Sequence, residues 1–301
     1  MVKGGEDWQH VEATKTPANE ELQLPQRLQV DKHAPMMEGS KTITFSFEGE
    51  PKVQLLGTYT RYSSWTARVV TVLEYFRIPY RPVYVQLANV KQHSRSGFVP
   101  ILTPLSWSPS LEINDSVSIC EFLAESYPNL GLWPQDRELR ALARSAVAEM
   151  HSGFGEIRNT YHTNFVAKYE GNVPVTEKGK KEVERMLALW DQARNATVAR
   201  SQALGEKDAG YLFGKFGIAD AFFWPVLWRF RTYNLPLTTA SPEALAWMKT
   251  MWSDLTLLKL SKDYFRQAEN PETAIAHYDD IFKGNPDIQY GRFEEDWKFE
   301  H

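Results

Sequence analysis

The chain has 301 residues, of which 43% are hydrophobic and 24% charged, and this ordinary globular composition excludes disorder along its whole length. Its net charge of −4 and its single cysteine, Cys120, argue against a basic nucleic-acid binder, an intramolecular disulfide framework and a cysteine-based zinc ribbon. No apolar run reaches the roughly 18 residues of a membrane span, and the N-terminus lacks the apolar core of a signal peptide. We therefore expect a soluble, cytoplasmic protein of about two domains.

The N-terminal extension, residues 1–51, begins as a polar, proline-punctuated stretch without periodicity. Such a segment buries too little apolar surface to fold alone, so we expect it to be partly disordered. Towards its end, Ile43, Phe45 and Phe47 alternate with polar residues. This alternation also allows an extra strand over 42–48.

Residues 52–128 alternate short strands and helices. The runs VQLLGTY, RPVYVQL and VPILTPL predict strands, and residues 111–113 are a further short candidate. SSWTARVVTVLEYF predicts a helix capped by Ser63 or Ser64, and DSVSICEFLAES a helix capped by Asp115. Because a strand, a helix and a parallel strand imply a right-handed crossover, this order predicts a small α/β domain.

A proline- and glycine-containing linker over 129–136 separates this unit from residues 137–268, where the apolar spacing becomes helical. One stripe from Leu139 to Tyr161 predicts a single long helix. EKGKKEVERMLALWDQAR predicts a second helix, and the almost wholly apolar FGIADAFFWPVLWRFRTY a helix at the centre of a bundle. The sequence thus predicts an all-α second domain.

The C-terminal extension, residues 269–301, opens with NPETAIAHYDDIF, which predicts a short helix. The residues after it include five large apolar side chains, more than a chain leaves in water without a substantial cost in free energy. Two placements remain open. The tail either walls a substrate pocket or packs elsewhere on the protein.

The most informative stretch for chemistry is TYTRYSSWTARVV. A strand ends there, a helix begins at once, and Ser63 and Ser64 stand at the junction. Free backbone N–H groups and the positive end of the helix dipole stabilise an anion at such a point, and a hydroxyl can donate a hydrogen bond to a thiolate. The simpler alternative is that both serines only cap the helix.

The stretch from about 53 to 233 resembles a cytosolic glutathione transferase, with an α/β thioredoxin-like N-terminal domain and an all-α C-terminal domain. YSSWTARVV is similar to the first turn of serine-type, zeta-like and related bacterial and fungal members. In those proteins the catalytic serine lies five residues before the Arg of an RV pair. Since that arginine is Arg68 here, the resemblance implies Ser63 as the catalytic residue, with Ser64 as the neighbouring candidate.

The resemblance also implies residues that bind glutathione. SGFVPIL is similar to the turn in which a cis-proline, here Pro100, exposes the backbone of Val99 to the cysteinyl part of glutathione. INDSVSICEF is similar to the motif that holds the γ-glutamyl group, which places that role on Asp115 and Ser116. The family more often has Glu at the first of these two positions, and the shorter Asp leaves its direct contact open.

Two further features accompany these motifs. The basic residues Lys91, His93 and Arg95 precede the VP turn, where one of them could bind the glycyl carboxylate of glutathione or all could belong to a solvated loop. FGIADAFF resembles the box that opens the core helix of the family's second domain. Gly217 stands where Ser or Thr usually caps that helix, while Asp220 is kept and is expected to be structural.

EMHSGFGEIR in the predicted long helix is similar to a segment of some bacterial transferases. This likeness implies that His151, Phe154, Arg158 and Tyr161 line the cleft between the domains and bind substrate. The alternative is that Phe154 belongs to the core and that His151 and Arg158 make ordinary contacts, because helical spacing identifies a face and not what the face meets.

The resemblance implies a glutathione-dependent transferase that activates the thiolate of its co-substrate for attack on a small hydrophobic electrophile. It also implies a homodimer with a role in detoxification and without a metal, and the spacing of the histidines does not indicate a zinc site. Two alternatives stay open: a glutathione-dependent isomerase of the zeta type, and a non-catalytic binding protein of the same fold.

Overall fold

The computed structural model describes residues 49–108 and 110–300. The extra strand predicted over 42–48 lies outside these residues, as does the rest of the chain before residue 49. Within the described ranges, no helix is both long and apolar enough to cross a bilayer.

The first unit is built on a three-stranded sheet of order β2-β1-β3, in which β1 is parallel to β2 and antiparallel to β3. Its elements are β1 Val53–Gly57, α1 Ser64–Tyr75, β2 Tyr80–Tyr84, α2 Val90–His93, β3 Ile101–Pro104 and α3 Ser116–Ser126. The strand predicted over 111–113 is reduced to a single bridge, between Ile113 and Leu102. The expected β-α-β crossover is present, because α1 connects the parallel pair.

The second unit is helical. Its helices are α4 Arg137–Ser152, α5 Gly155–Thr160, α6 Glu177–Leu204, α7 Ile218–Thr232, α8 Pro242–Ser253 and α9 Leu255–Glu269. α7 is the central helix, and each of its residues except Arg231 is buried. The segment predicted as a linker is part of this packing, since Leu132 and Trp133 are buried.

The start of α7 explains why glycine replaces the usual hydroxyl residue in its box. A Cβ on Gly217 would lie 2.9 Å from the backbone oxygen of Leu132, so a larger residue does not fit there. Asp220 keeps the other half of the box. Its carboxylate accepts hydrogen bonds from the backbone N–H groups of Gly217 (3.0 Å) and Leu212 (2.9 Å) and from the indole of Trp247 (2.9 Å). Asp220 is therefore a structural residue, as predicted.

One expectation about the helical unit, the single helix from Leu139 to Tyr161, is wrong. The predicted long helix is interrupted, because α4 ends at Ser152 and Phe154 adopts a left-handed conformation with φ of 54°. The flanking Gly153 and Gly155 weaken helix formation at this point. The unit is also not purely helical, because β4, Ala167–Gly171, lies between α5 and α6 and pairs with β5, Ile288–Arg292, of the C-terminal extension.

The C-terminal extension divides into two segments. The first forms a 3₁₀ turn, Pro271–Thr273, and the short helix α10, Ala276–Asp279. The second forms β5 and then packs Phe293 and Trp297 against the helical unit. Of the described residues of the extension, only ones in the first segment line the cavity described next.

Candidate functional site

A cavity of about 570 Å³ lies where β1 ends and α1 begins. It is bordered by the loop before β3, by residues between α5 and β4, by α7 and by the first segment of the C-terminal extension. Its lining residues are Thr58, Tyr62, Ser63, Ser64, Trp65, Leu87, Ala88, Val90, Lys91, Gly97, Phe98, Val99, Arg158, His162, Thr163, Arg229, Ile275 and Tyr278. Both predicted catalytic serines are among them.

Ser63 is the N-cap of α1. Its hydroxyl oxygen accepts the backbone N–H of Thr66 at 3.2 Å, and its hydroxyl donates to Oγ1 of the same threonine at 3.0 Å. The side chain of Thr66 also accepts the backbone N–H of Thr58 at 3.4 Å. These contacts connect the end of β1 to the start of α1 and place the free N–H groups of the helix at the cavity.

Ser64 is buried beside Ser63 and contacts α7. Its oxygen accepts a hydrogen bond from Nη2 of Arg229 at 3.5 Å. Arg229 is itself buried, and its remaining groups are held by backbone oxygens, with Nε donating to Tyr161 at 2.8 Å and Nη1 to Pro225 at 3.1 Å. A cation from the helical unit therefore faces the serines of the α/β unit.

The loop before β3 presents the backbone expected from the resemblance. The Val99–Pro100 peptide bond is cis, Val99 lines the cavity and Pro100 is buried beneath it. Ser94 fixes the loop, because its hydroxyl accepts the N–H of Phe98 at 3.1 Å and donates to the carbonyl of Phe98 at 2.7 Å. His93 and Arg95 are exposed and do not line the cavity, whereas Lys91 does.

Asp115 and Ser116 lie next to the cavity wall. Asp115 caps α3 by accepting the N–H of Val117 at 2.9 Å, and its other oxygen lies 3.0 Å from Nε2 of His151. His151 in turn packs edge-on against the cavity residue Trp65, at 5.3 Å between ring centroids. Ser116 is buried, and its hydroxyl has no hydrogen-bond partner among the described residues.

The four predicted substrate residues separate into two pairs. Arg158 lines the cavity, and its Cζ lies 5.5 Å from the ring centroid of Trp65, which His151 also contacts. Phe154 and Tyr161 do not face the cavity; they are buried in the core, and the hydroxyl of Tyr161 donates to the carbonyl of Pro174. The interruption of the helix causes this difference, because the four residues no longer lie on one face of a continuous helix.

Sequence reasoning missed several lining residues, notably Tyr62, Trp65, His162, Arg229, Ile275 and Tyr278. One signal for Arg229 was available, because an arginine within an apolar central helix needs a polar partner. No local pattern could place Ile275 and Tyr278, which reach the cavity from the C-terminal extension.

Hydrogen bonds and an ion pair connect α10 to Arg61 and Tyr62, the two residues that precede the serines. Tyr62 donates from its hydroxyl to Asp279, and its oxygen accepts the N–H of Ile275 at 3.3 Å. Arg61 forms an ion pair with Asp279 at 3.4 Å. From the opposite side, Asn164 donates to the carbonyl of Tyr278 at 3.1 Å. The wall of the cavity nearest Tyr278 is therefore built by the C-terminal extension.

Three arginines give this region a positive potential. Arg68, Arg158 and Arg229 have no carboxylate within 4.0 Å among the residues that the structure describes. Burial lowers the pKa of Arg229 to about 10, and Arg158 acts in the same direction, so Arg229 remains charged at neutral pH. Burial also lowers the pKa of His162, as do His277 and Arg229, which keeps that imidazole neutral. This arrangement favours an anion in the cavity.

The described residues contain no cluster of three or more acidic, histidine or cysteine side chains that could hold a metal ion. Cys120 is buried in the α/β unit, and burial raises the pKa of its thiol. A thiol protonated in this way is not a nucleophile. The polar groups that line the site are hydroxyls, backbone amides, the guanidinium groups of Arg158 and Arg229, and the side chains of Lys91 and His162.

Comparison with known proteins identifies relatives by sequence. A model of the glutathione S-transferase C-terminal domain matches residues 173–250. A maleylacetoacetate isomerase of Dictyostelium discoideum is 28% identical over 128 residues, which are 41% of this chain. The match covers 58% of that protein, so this chain spans less than two thirds of its length. A pyrimidodiazepine synthase of Drosophila melanogaster is 31% identical over 232 residues, or 73% of this chain and 86% of that protein.

Solved structures share the fold. A glutathione transferase homologue from Burkholderia, determined with bound glutathione, is 21% identical, with a TM-score of 0.51 over 72% of this chain and 99% of that one. Ure2p, a yeast prion protein, was determined in complex with glutathione and is 18% identical, with a TM-score of 0.53 over 70% of this chain and 94% of that one. At these identities the likeness concerns the architecture, an α/β unit followed by a helical one.

Proposed function

From the premise that this chain belongs to the glutathione transferase family, we propose that it binds glutathione in the 570 Å³ cavity and transfers it to a small electrophile. The observation that carries the proposal is the meeting of Ser63, Ser64 and the Val99 backbone at the start of α1. A hydroxyl, free helix amides and a nearby guanidinium group each favour the thiolate over the thiol.

Each part of glutathione has a complementary group near this point. The backbone of Val99, exposed beside the cis bond to Pro100, would pair with the cysteinyl residue. Asp115 and the start of α3, which Ser116 opens, would take the ammonium and carboxylate of the γ-glutamyl group. Lys91 lines the cavity and suits the glycyl carboxylate better than His93 and Arg95, which do not line it.

The chemical step requires the thiolate of glutathione and the electrophile. The thiolate sulfur attacks the electrophilic carbon and forms a C–S bond. The electron pair leaves with the departing group or, in an addition to a double bond, forms a carbanion that takes a proton from water. Each unit by which the site lowers the thiol pKa corresponds to about 1.4 kcal/mol of stabilisation of the thiolate relative to the thiol.

A glutathione-dependent isomerisation is the second candidate, and a specific observation favours it. Arg158 and Arg229 both line the cavity without a carboxylate partner among the described residues, so the site suits an anionic substrate. In such a reaction the thiolate adds to a conjugated double bond, rotation follows, and the C–S bond breaks again. Glutathione is then not consumed.

Two measurements separate these functions from each other and from a non-catalytic binding protein. Retention on immobilised glutathione tests binding, and conjugation with 1-chloro-2,4-dinitrobenzene tests transfer. A cis-enone carboxylate with glutathione in trace amounts tests isomerisation, which would turn over more substrate than the glutathione present. Retention with no turnover in either assay would favour the binding protein, and lack of retention would contradict the proposal.

We further propose that the protein is a cytoplasmic homodimer that takes part in detoxification. Most soluble oligomers are homo-oligomers, and dimers with two-fold symmetry are the commonest among them. Light scattering at micromolar concentration should give twice the mass of the 34.6 kDa chain, with and without reducing agent. A monomer under both conditions would contradict this part of the proposal.

A further inference from the structure

The two serines at the cavity use their hydroxyl groups differently. In Ser63 both functions of the hydroxyl are occupied by Thr66, because the oxygen accepts the N–H of that residue and the proton is donated to its Oγ1. A serine hydroxyl has only one proton to donate. Thr66 is fully buried, and its side chain also accepts the N–H of Thr58, so this arrangement belongs to the junction of β1 and α1.

The hydroxyl of Ser64 is occupied on one side only. Its oxygen accepts Nη2 of Arg229 at 3.5 Å, and within residues 49–108 and 110–300 no acceptor takes its proton. Ser64 also lines the cavity. A hydroxyl that accepts from a cation and has an uncommitted proton is a stronger donor than a neutral one, because hydrogen bonds in a chain polarise one another.

Arg229 is held in one orientation. The backbone oxygens of Tyr161 and Pro225 fix two of its nitrogens, at 2.8 and 3.1 Å, and the surrounding residues of α7 are buried. A guanidinium group is a planar fork, so fixing Nε and Nη1 also fixes where Nη2 points. It points towards Ser64 at the mouth of α1.

The other charged or titratable groups around this pair come from every neighbouring element. They are Arg68 on α1, Lys91 on α2, Arg158 on α5, His162 before β4, Tyr233 after α7, Tyr62 before α1 and Tyr278 on α10. The charged groups in this list are cations, and the anion nearest to them on α10, Asp279, is held by Arg61 and by the hydroxyl of Tyr62. The combined field of the cations favours the thiolate whichever serine contacts it, so it does not by itself distinguish Ser63 from Ser64.

We infer that Ser64 donates the hydrogen bond to the sulfur of glutathione and that Arg229 is the positioning residue that orients and polarises its hydroxyl, while Ser63 caps α1. This assignment rests on the proposed function. It predicts that two residues 165 positions apart in sequence, one in each unit, act on the same property, the thiol pKa of bound glutathione.

The test is an ultraviolet titration of the glutathione thiolate, near 240 nm, in complexes with wild-type protein and with Ser64→Ala, Arg229→Gln, Arg229→Lys and Ser63→Ala. Ser64→Ala and Arg229→Gln should each raise the thiol pKa by about one unit, which is a tenfold change in thiolate population at low pH. The acid limb of kcat/KM should move by the same amount. Arg229→Lys, which keeps the charge but not the planar fork, should recover only part of the shift, and Ser63→Ala should lower Tm while leaving the thiol pKa in place.

Arg231→Gln is the matched control, because it removes a second arginine from α7 that does not line the cavity. It should leave the thiol pKa unchanged. If Arg229→Gln does not fold, Ser64→Ala and Arg229→Lys still decide, since a merely structural arginine would change Tm and not a pH profile. A shift in Ser63→Ala alone, or none in Ser64→Ala, would overturn the inference. A wild-type protein that binds no glutathione would overturn the proposed function and this inference with it.

Discussion

Arg229 and Arg231 are two residues apart on α7 and have different surroundings. Two steps along an α-helix turn by about 200°, so the two side chains leave on opposite faces. Arg229 faces the cavity, held by backbone oxygens and touching Ser64. Arg231 faces an aromatic box, which we define as Phe165, Trp252, Phe293 and Trp297; the four ring centroids lie 4.3–5.1 Å from its Cζ.

The difference shows that two arginines of one helix can serve different purposes. Two rings of the aromatic box belong to the helical unit, and the other two, Phe293 and Trp297, belong to the second segment of the C-terminal extension. Arg231 therefore fixes the tail to the protein, while Arg229 faces the cavity. α7 separates a cavity side, which we expect to govern kinetics, from a tail side, which we expect to govern stability.

The largest effect on stability should come from deleting residues 284–301. The deletion removes β5, leaves β4 without its partner strand and uncovers the aromatic box, so we expect the free energy of unfolding to fall by about 3–5 kcal/mol. The KM for a bulky electrophile should stay within about twofold, because none of the described residues after Tyr278 lines the cavity. Urea unfolding and steady-state kinetics measure the two quantities. A large rise in this KM in the folded truncation would contradict the separation of the two sides.

Arg231→Met should reproduce part of that loss in the full-length chain. Methionine fills space between the rings but removes the cation–π contacts and the donor to the carbonyl of Phe165, which together are worth about 2 kcal/mol. Limited proteolysis should cut the tail faster, while kcat stays unchanged. Arg231→Lys is the control, since it keeps a charge without the planar fork and should lose less stability.

Tyr278→Ala tests the cavity side. The ring of Tyr278 lines the cavity and packs 5.0 Å from the imidazole of His162, so its loss should raise the KM for an aromatic electrophile about fivefold. Tyr278→Phe should retain the wild-type KM. Equal values for the alanine and phenylalanine variants would show that α10 does not select the electrophile.

The smallest effect should come from Asp115→Asn. Asparagine caps a helix as well as aspartate does, so α3 and the Tm should be preserved. The side chain of Asp115 is 53% exposed, and solvent screens its charge, so the KM for glutathione should rise by only about two- to fivefold. A change in the electrophile KM instead would argue against a role of Asp115 in binding the γ-glutamyl group.

Features of the site encoded by neighbouring residues could be predicted from the sequence. The caps at Ser63 and Asp115 and the role of Asp220 depend on a few adjacent residues, and the structure shows them as expected. The cis bond before Pro100 followed only from the family resemblance, because X–Pro bonds are mostly trans.

Features that depend on distant partners could not be predicted. The spacing of Phe154 and Tyr161 fits a helical face, but the two glycines around Phe154 end that face and bury both rings. The pairing of β4 with β5 joins residues more than a hundred positions apart, and no local alternation specifies its partner. The cluster of arginines without carboxylate partners also became visible only once α1, α5 and α7 were brought together.

The bonds between Tyr62 and α10 have a consequence for how the protein is made. Residues that line the cavity extend from Thr58 to Tyr278, so most of the helical unit is synthesised between the first and the last of them. Domains fold in the order in which they emerge, and the sheet with its serines can form while the helical unit is still being translated. Its cavity, however, lacks a wall until α10 has been released. Any function that depends on this cavity therefore requires that the chain has been synthesised at least as far as Tyr278.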